Sequence, residues 1–130
     1  DKVYTFTVTW GEQRTTDDSE GEVINTSPAR PTREQIESIL PAFVGEISQL
    51  PPQYSALKID GERAYNLARE GQIVELKSRT VHIYELTLES MTDDTATFRC
   101  VCGKGTYVRS LARDFGLKLG CFGYISALNL

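Results

Sequence analysis

TATFRCVCGKGTYVRSLARDFGLKLG, residues 95–120, decides the fold, because a strand and a helix meet in it across a turn of two glycines. Residues 95–103 read as a strand, in which Cys100 and Cys102, two apart, point to the same face. From Thr106 to Leu119 the period changes: Val108, Leu111, Ala112, Phe115 and Leu119 fall on one helical face, and Gly120 follows where a helix stops. Upstream, 80–89 reads as another strand, joined to 95–103 by a turn at Asp93-Asp94, with a shorter one at 73–76 before it. Downstream, residues 123–130 read as a last strand.

The other end of the chain adds a half-buried strand. In residues 2–10, Val3, Thr5, Thr7 and Thr9 fall on one side and Tyr4, Phe6, Val8 and Trp10 on the other. Gly11 opens a polar stretch to Gly21 that reads as a solvated loop, and 22–27 reads as a short strand. Thr32 is a good helix N-cap. Gln35 stands three residues on, as in a capping box, and Ile36, Ile39, Leu40 and Phe43 make the apolar stripe up to Gly45. Tyr54–Ile59 reads as a strand, Asp60-Gly61 as a hairpin turn, and 64–70 as a short helix ended by Gly71. Together these predict an α+β fold: a mixed, largely antiparallel sheet with about three helices in one domain, residues 1–130.

Composition narrows the class. The chain is 40% hydrophobic and 25% charged, which suits a globular domain with a real core and excludes disorder and coiled coil. No apolar run approaches the roughly 20 residues of a membrane span, and the opening DKVYTFTVTW has no signal-peptide character, so no membrane partner is expected. Three cysteines make an odd number. With His82 the single histidine, far from them in the chain, they predict free thiols in a reducing cytoplasm and not a zinc site. The net charge of −4 is unevenly spread: residues 1–50 hold four basic and nine acidic side chains, whereas 99–118 hold five basic and one acidic. A basic stretch on an acidic chain fits a focused phosphate-binding face, and fits an ordinary solvated helix equally well.

Two segments carry chemistry. In PPQYSALKIDGERAYNLAREG, residues 51–71, the prolines force an extended approach to Tyr54, whose ring can stack on a base and whose phenol can exchange a proton. Lys58 shares the strand parity of Tyr54, so both suit one cleft; an ordinary rim tyrosine suits the pattern too. In CGKGTYVRSLARDFGLKLG, residues 102–120, Gly103 and Gly105 bracket Lys104 before the helix, and Arg109 and Arg113 stand four apart on it. Such arginines either clamp a phosphate or carboxylate or lie solvated. Asp17, Asp18 and Glu20 read as a solvated acidic loop, not a metal site, and His82 as structural.

Taken together, PPxYSAxKxxGxxxYxxAR and KGTYxRSLARDxGxxLG, with the TTDDSEGEV stretch at 15–23, resemble the TruB family of tRNA pseudouridine synthases. The resemblance runs over nearly all of the chain. It implies isomerisation of one uridine in the T-arm loop of tRNA, with the N-glycosidic bond broken and the base rejoined through carbon, and no metal or cofactor. It implies that Tyr54 stacks on the target uracil and is a candidate to take the proton from the carbon of the new bond. It further implies that Arg109 pairs with the catalytic aspartate and that Leu128 packs on the base, while Lys58, Lys104 and Tyr107 form the pocket or touch RNA. The family's nucleophile stands in a Gly-Thr-Leu-Asp-Pro motif, and none of the seven aspartates here has that context. Residues 1–130 are therefore expected to be a central piece of the catalytic domain without the nucleophile and the C-terminal RNA-binding domain, inactive alone, with Arg109 facing an empty place. A surface exposed by such truncation is expected to self-associate. The alternative is a non-catalytic RNA-binding module of the same fold.

Overall fold

The alternation of residues 2–10 becomes strand β1 (Lys2–Trp10), whose Phe6, Val8 and Trp10 are buried while the threonines between them are half-buried. The structure, a computed structural model, describes residues 1–52, the strand backbone at 58–59 and 62–63, and residues 77–129. Its elements run on as β2 (Glu12–Arg14), β3 (Val23–Thr26), α1 (Arg33–Ile39) with a 3-10 turn (Leu40–Phe43), and β4 (Gly45–Gln49). They continue as β5 (Lys58–Ile59), β6 (Glu62–Arg63), β7 (Arg79–Met91), β8 (Thr95–Cys102), α2 (Val108–Leu119) and β9 (Gly123–Asn129).

Five of the described strands make one sheet in the order β4-β7-β8-β1-β9, every neighbour antiparallel. The single parallel pairing among the described residues is the isolated bridge Asp18–Ile125. Both described helices lie on one face of this sheet. Phe98 of β8 sits opposite Phe6 of β1, their rings 5.6 Å apart, and Phe115 of α2 closes on Phe98 at 4.9 Å. Phe43 meets Phe115 edge-on at 4.9 Å, which brings the turn after α1 into the same core. Each fully buried ring of this kind contributes roughly 1.5–3 kcal/mol by leaving water.

The helix caps follow the reading. Thr32 accepts from the Gln35 N–H and donates its own N–H to the Gln35 side chain, so the capping box is closed in both directions. At the end of α2, Gly120 takes the left-handed conformation, φ 75°, and its N–H finishes the helix on Gly116 and Leu117 carbonyls. Gly116 answers a different need: a Cβ there would lie 2.2 Å from the Gly123 nitrogen, so only hydrogen lets β9 start against the helix.

Two departures stand out. The polar run after Gly11 contains β2, paired with β3 in a small hairpin, where the reading had a loop throughout. β4 was not foreseen: Gly45 is the first residue of a strand, and its inward position at the far end is filled by Gln49, which is fully buried. Lys58 pairs with Arg63 and Ile59 with Glu62; the turn expected at residues 60–61 and the strand expected over 54–57 lie outside the described residues. The helix expected over 64–70 and the strand over 73–76 lie outside the described residues, so two α-helices and one 3-10 turn stand among those described.

Candidate functional site

α2 is tied down at its first turn by the unforeseen strand. Gln49, at the end of β4, donates its amide to the Tyr107 carbonyl at 3.0 Å and accepts the Tyr107 N–H at 2.9 Å. One N–H at the helix start, which the sequence offered to an anion, is thus used inside the protein. Ser110 adds a bond to the Leu50 carbonyl at 2.8 Å. The helix start is held from one side by buried polar bonds, each net worth about 1 kcal/mol and costly to leave unmade.

The acidic loop holds the other side. Asp17 is buried, 3% exposed, and not solvated as its sequence neighbourhood suggested. Its φ of 62° is left-handed, a conformation that aspartate tolerates better than most residues. Its N–H donates to the Arg14 carbonyl at 3.1 Å and its carbonyl accepts the Ile125 N–H at 2.9 Å, which stitches the loop to β9. The carboxylate receives Arg113 at 3.3 Å. Next along the chain, Asp18 receives Arg109 at 3.4 Å, and the same guanidinium reaches the Thr16 carbonyl at 3.5 Å. Asp18 is itself oriented by the Thr16 hydroxyl and by the Glu20 N–H at 3.0 Å.

Burial separates the two pairs. Arg113 is 12% exposed and makes further bonds to Asp114 at 3.0 Å and to the carbonyls of Leu50 and Pro51 at 2.8 and 3.4 Å. Arg109 is 29% exposed, and both its bonds are at the long limit of hydrogen-bond length, so it can exchange partners. Burial pushes the Asp17 carboxyl from its ordinary 3.8 up to about 6; Arg113 and Arg109 pull it back down and Asp114 adds to the rise.

Arg109 opens onto a cavity of about 440 Å³. Its wall includes Tyr4, Asp18, Thr106, Tyr107, Arg109 and Leu128, so three of the residues singled out in the sequence come together: Arg109, Tyr107 and Leu128. Tyr4 was missed; its parity with Phe6 in β1 was legible, but its position at the strand's edge, next to β9, was not. The Tyr107 ring carries the Arg79 guanidinium at 5.4 Å. Lys104 is exposed on the turn before α2 and is not in this wall. Tyr54 lies outside the described residues, as does the side chain of Lys58. Asp18 pairs with Arg109, so the guanidinium is partly occupied where it lines the cavity.

The remaining candidates divide simply. His82 is half-buried and stacks on Tyr84 at 4.3 Å. The three cysteines are free and buried, and burial together with neighbouring Cys102 pushes the Cys100 thiol up to about 12, so it stays protonated. Among the described residues no group of three or more His, Cys, Asp or Glu could hold a metal ion, and no helix is long and apolar enough to cross a membrane.

With this geometry in hand, comparison with known proteins is informative. The model of the TruB family pseudouridylate synthase N-terminal domain matches residues 1–108. The chain is 61% identical over 129 residues to tRNA pseudouridine synthase B of Rhizobium etli, covering 98% of the chain and 42% of that protein. It is likewise 61% identical to the protein of the same name from Agrobacterium fabrum, covering 98% of the chain and 41% of that protein. The chain thus spans about two-fifths of the length of the curated relatives it matches. Among solved structures, one of a Cbf5-Nop10-Gar1 complex superposes with a TM-score of 0.63 at 24% identity, over 98% of this chain and 28% of that one. An H/ACA RNP bound to a substrate RNA containing 2'-deoxyuridine gives 0.61 at 20% identity, over 98% and 26%. These two establish likeness of fold.

Proposed function

The chain belongs to the TruB family of pseudouridylate synthases, and on that premise we propose that it forms the central part of an RNA-modifying isomerase acting on a uridine in the T-arm loop of tRNA. The observation that carries the reading is the cavity where a guanidinium with a loosely held carboxylate shares a wall with two tyrosines and a leucine. A uridine buried in a stacked loop reaches an enzyme only when flipped out, and the few kcal/mol this costs are offset by stacking in the pocket. Tyr4 and Tyr107 are the described rings of the wall that would stack on the base, with Leu128 in the same wall; Tyr54 keeps the role that the family pattern gives it. Arg109 would bind the nucleophile's carboxylate, keep it ionised and orient it, using N–H groups that Asp18 holds only loosely. Lys104 and Lys58 would contact RNA phosphate, in the cytoplasm where tRNA is processed.

None of the seven aspartates carries the family's nucleophile motif, so these 130 residues alone should bind RNA without isomerising it. Self-association is a separate proposal. β4 and β9 are the sheet's edges among the described residues, and an unpaired edge invites a second strand. Light scattering that shows only monomer at high concentration would count against it. The test of function is titration with a T-arm stem-loop RNA at two salt concentrations, for the native chain and for Arg109→Ala with Lys104→Ala. Salt-sensitive binding that weakens in the variant supports the reading. Equal binding by the variant, or equal binding of an unrelated hairpin, counts against it.

A further inference from the structure

Asp17 and Arg113 take no part in the cavity wall, yet they form the better-buried of the two ion pairs. Consecutive side chains on an extended strand point to opposite sides. Here two consecutive aspartates both reach α2, Asp17 one turn further along the helix than Asp18, and the left-handed backbone at Asp17 makes this turn of the chain. Arg113 grips the same loop while donating to the Leu50 and Pro51 carbonyls. One guanidinium therefore joins α2, the loop of Asp17 and the stretch after β4.

We propose that Asp17 and Arg113 are positioning residues: they fix the loop so that Asp18 stays opposite Arg109 when Arg109 shifts its bonds to another carboxylate. This rests on the functional reading above and deepens it. A partner-exchanging arginine needs a loop that does not follow it, and its own bonds to that loop, at 3.4 and 3.5 Å, are too long to hold it. The buried pair supplies the hold. The charged and titratable groups around Asp17 are Arg113, Arg109 and Asp114 on α2, Asp18 beside it, Arg14 with its partner Glu12 on β2, and Tyr124 on β9 under the Arg14 guanidinium. Protonation of Asp17 removes the charge that Arg113 holds, so positioning should fail as the pH falls through about 6.

The experiment uses the full-length protein that contains this chain, with Asp17→Asn and Arg113→Lys made separately. The second variant keeps a buried cation should the first fail to fold. Two readouts are taken from pH 5 to 8: the rate and KM of uridine isomerisation in a T-arm stem-loop RNA, and the nitrogen-15 signal of the Arg109 side chain. The expected result is a rate at saturating RNA reduced roughly ten- to a hundredfold, as for other misplacements of a reacting group, with KM within about twofold. The wild type should lose rate below about pH 6, and Asp17→Asn should not change over that range. The Arg109 signal should move over the same pH range as the wild-type rate, following Asp17, and be displaced in both variants. Variants that keep the wild-type rate, its acid limb and the Arg109 signal overturn the proposal. A wild type that does not isomerise RNA retires the functional reading instead. The Arg109 signal then decides alone: displaced in the variants it sustains the positioning role, and unmoved it overturns it.

Discussion

Asp17–Arg113 and Asp18–Arg109 are made of the same residue types, adjacent on the loop and one turn apart on the helix, yet they do different work. The first is buried and its arginine has three other partners; the second is half-exposed, long, and open to a cavity. Burial, not residue type, separates scaffold from site. Unpairing a buried charge is expensive, whereas an exposed pair is worth little to stability.

The largest expected effect follows from that contrast. Arg113→Ala leaves the Asp17 carboxylate buried without its partner and frees two backbone carbonyls, so urea unfolding should show a loss of about 3–5 kcal/mol at pH 7. A loss below about 1 kcal/mol would erase the distinction between the pairs. Next in size is Gln49→Leu, which keeps the buried volume but removes both bonds to the backbone of Tyr107. It should cost about 2–3 kcal/mol in the same measurement. It should also raise amide exchange at Tyr107, whose N–H loses its acceptor, with less change at the helix end near Gly120.

These two residues also mark where the sequence was legible and where it was not. β1 announced itself through alternation, in Phe6, Val8 and Trp10, and α2 through its apolar face and terminal glycine; β7, β8 and β9 were also read as strands. β4 was not, because its innermost position is the polar Gln49 and its other members are split between half-buried and exposed. β3 was read as a short strand, but its partner β2 was not: its three residues are all half-buried and polar, so no apolar pattern marks it. At the site, Arg109, Tyr107 and Leu128 were found through motifs, and the structure brings them to one cavity. Tyr4 was hidden because a strand tyrosine of core parity looks like core. The aspartates looked solvated because a run of acids in a polar loop carries no sign of the two arginines about ninety residues on.

A third expectation uses pH. The Asp17 carboxyl is raised from 3.8 to about 6 in the folded protein, so between those values the folded state holds a proton that the unfolded state has lost. Stability contributed by that proton is present at low pH and disappears as the pH rises through about 6. Thermal unfolding of the wild type should therefore improve from pH 7 to 5 relative to Asp17→Asn, by about 1–2 kcal/mol. A constant gap between the two proteins across this range would mean that Asp17 does not titrate there.

The smallest effect is expected at the outer pair, and it sharpens the comparison most. Arg109→Ala should change stability by less than about 1 kcal/mol, since its bonds are long and water can replace them. If Arg109 serves the cavity and not the fold, the same substitution should weaken RNA binding or turnover out of all proportion to its effect on unfolding. Asp18→Asn makes the complementary change: it loosens Arg109 without emptying the wall, so it should cost less than Arg109→Ala in the RNA assay. Equal losses of stability from Arg109→Ala and Arg113→Ala would mean that both arginines are scaffold. The cavity would then lack the one cation that the described residues of its wall offer to a carboxylate.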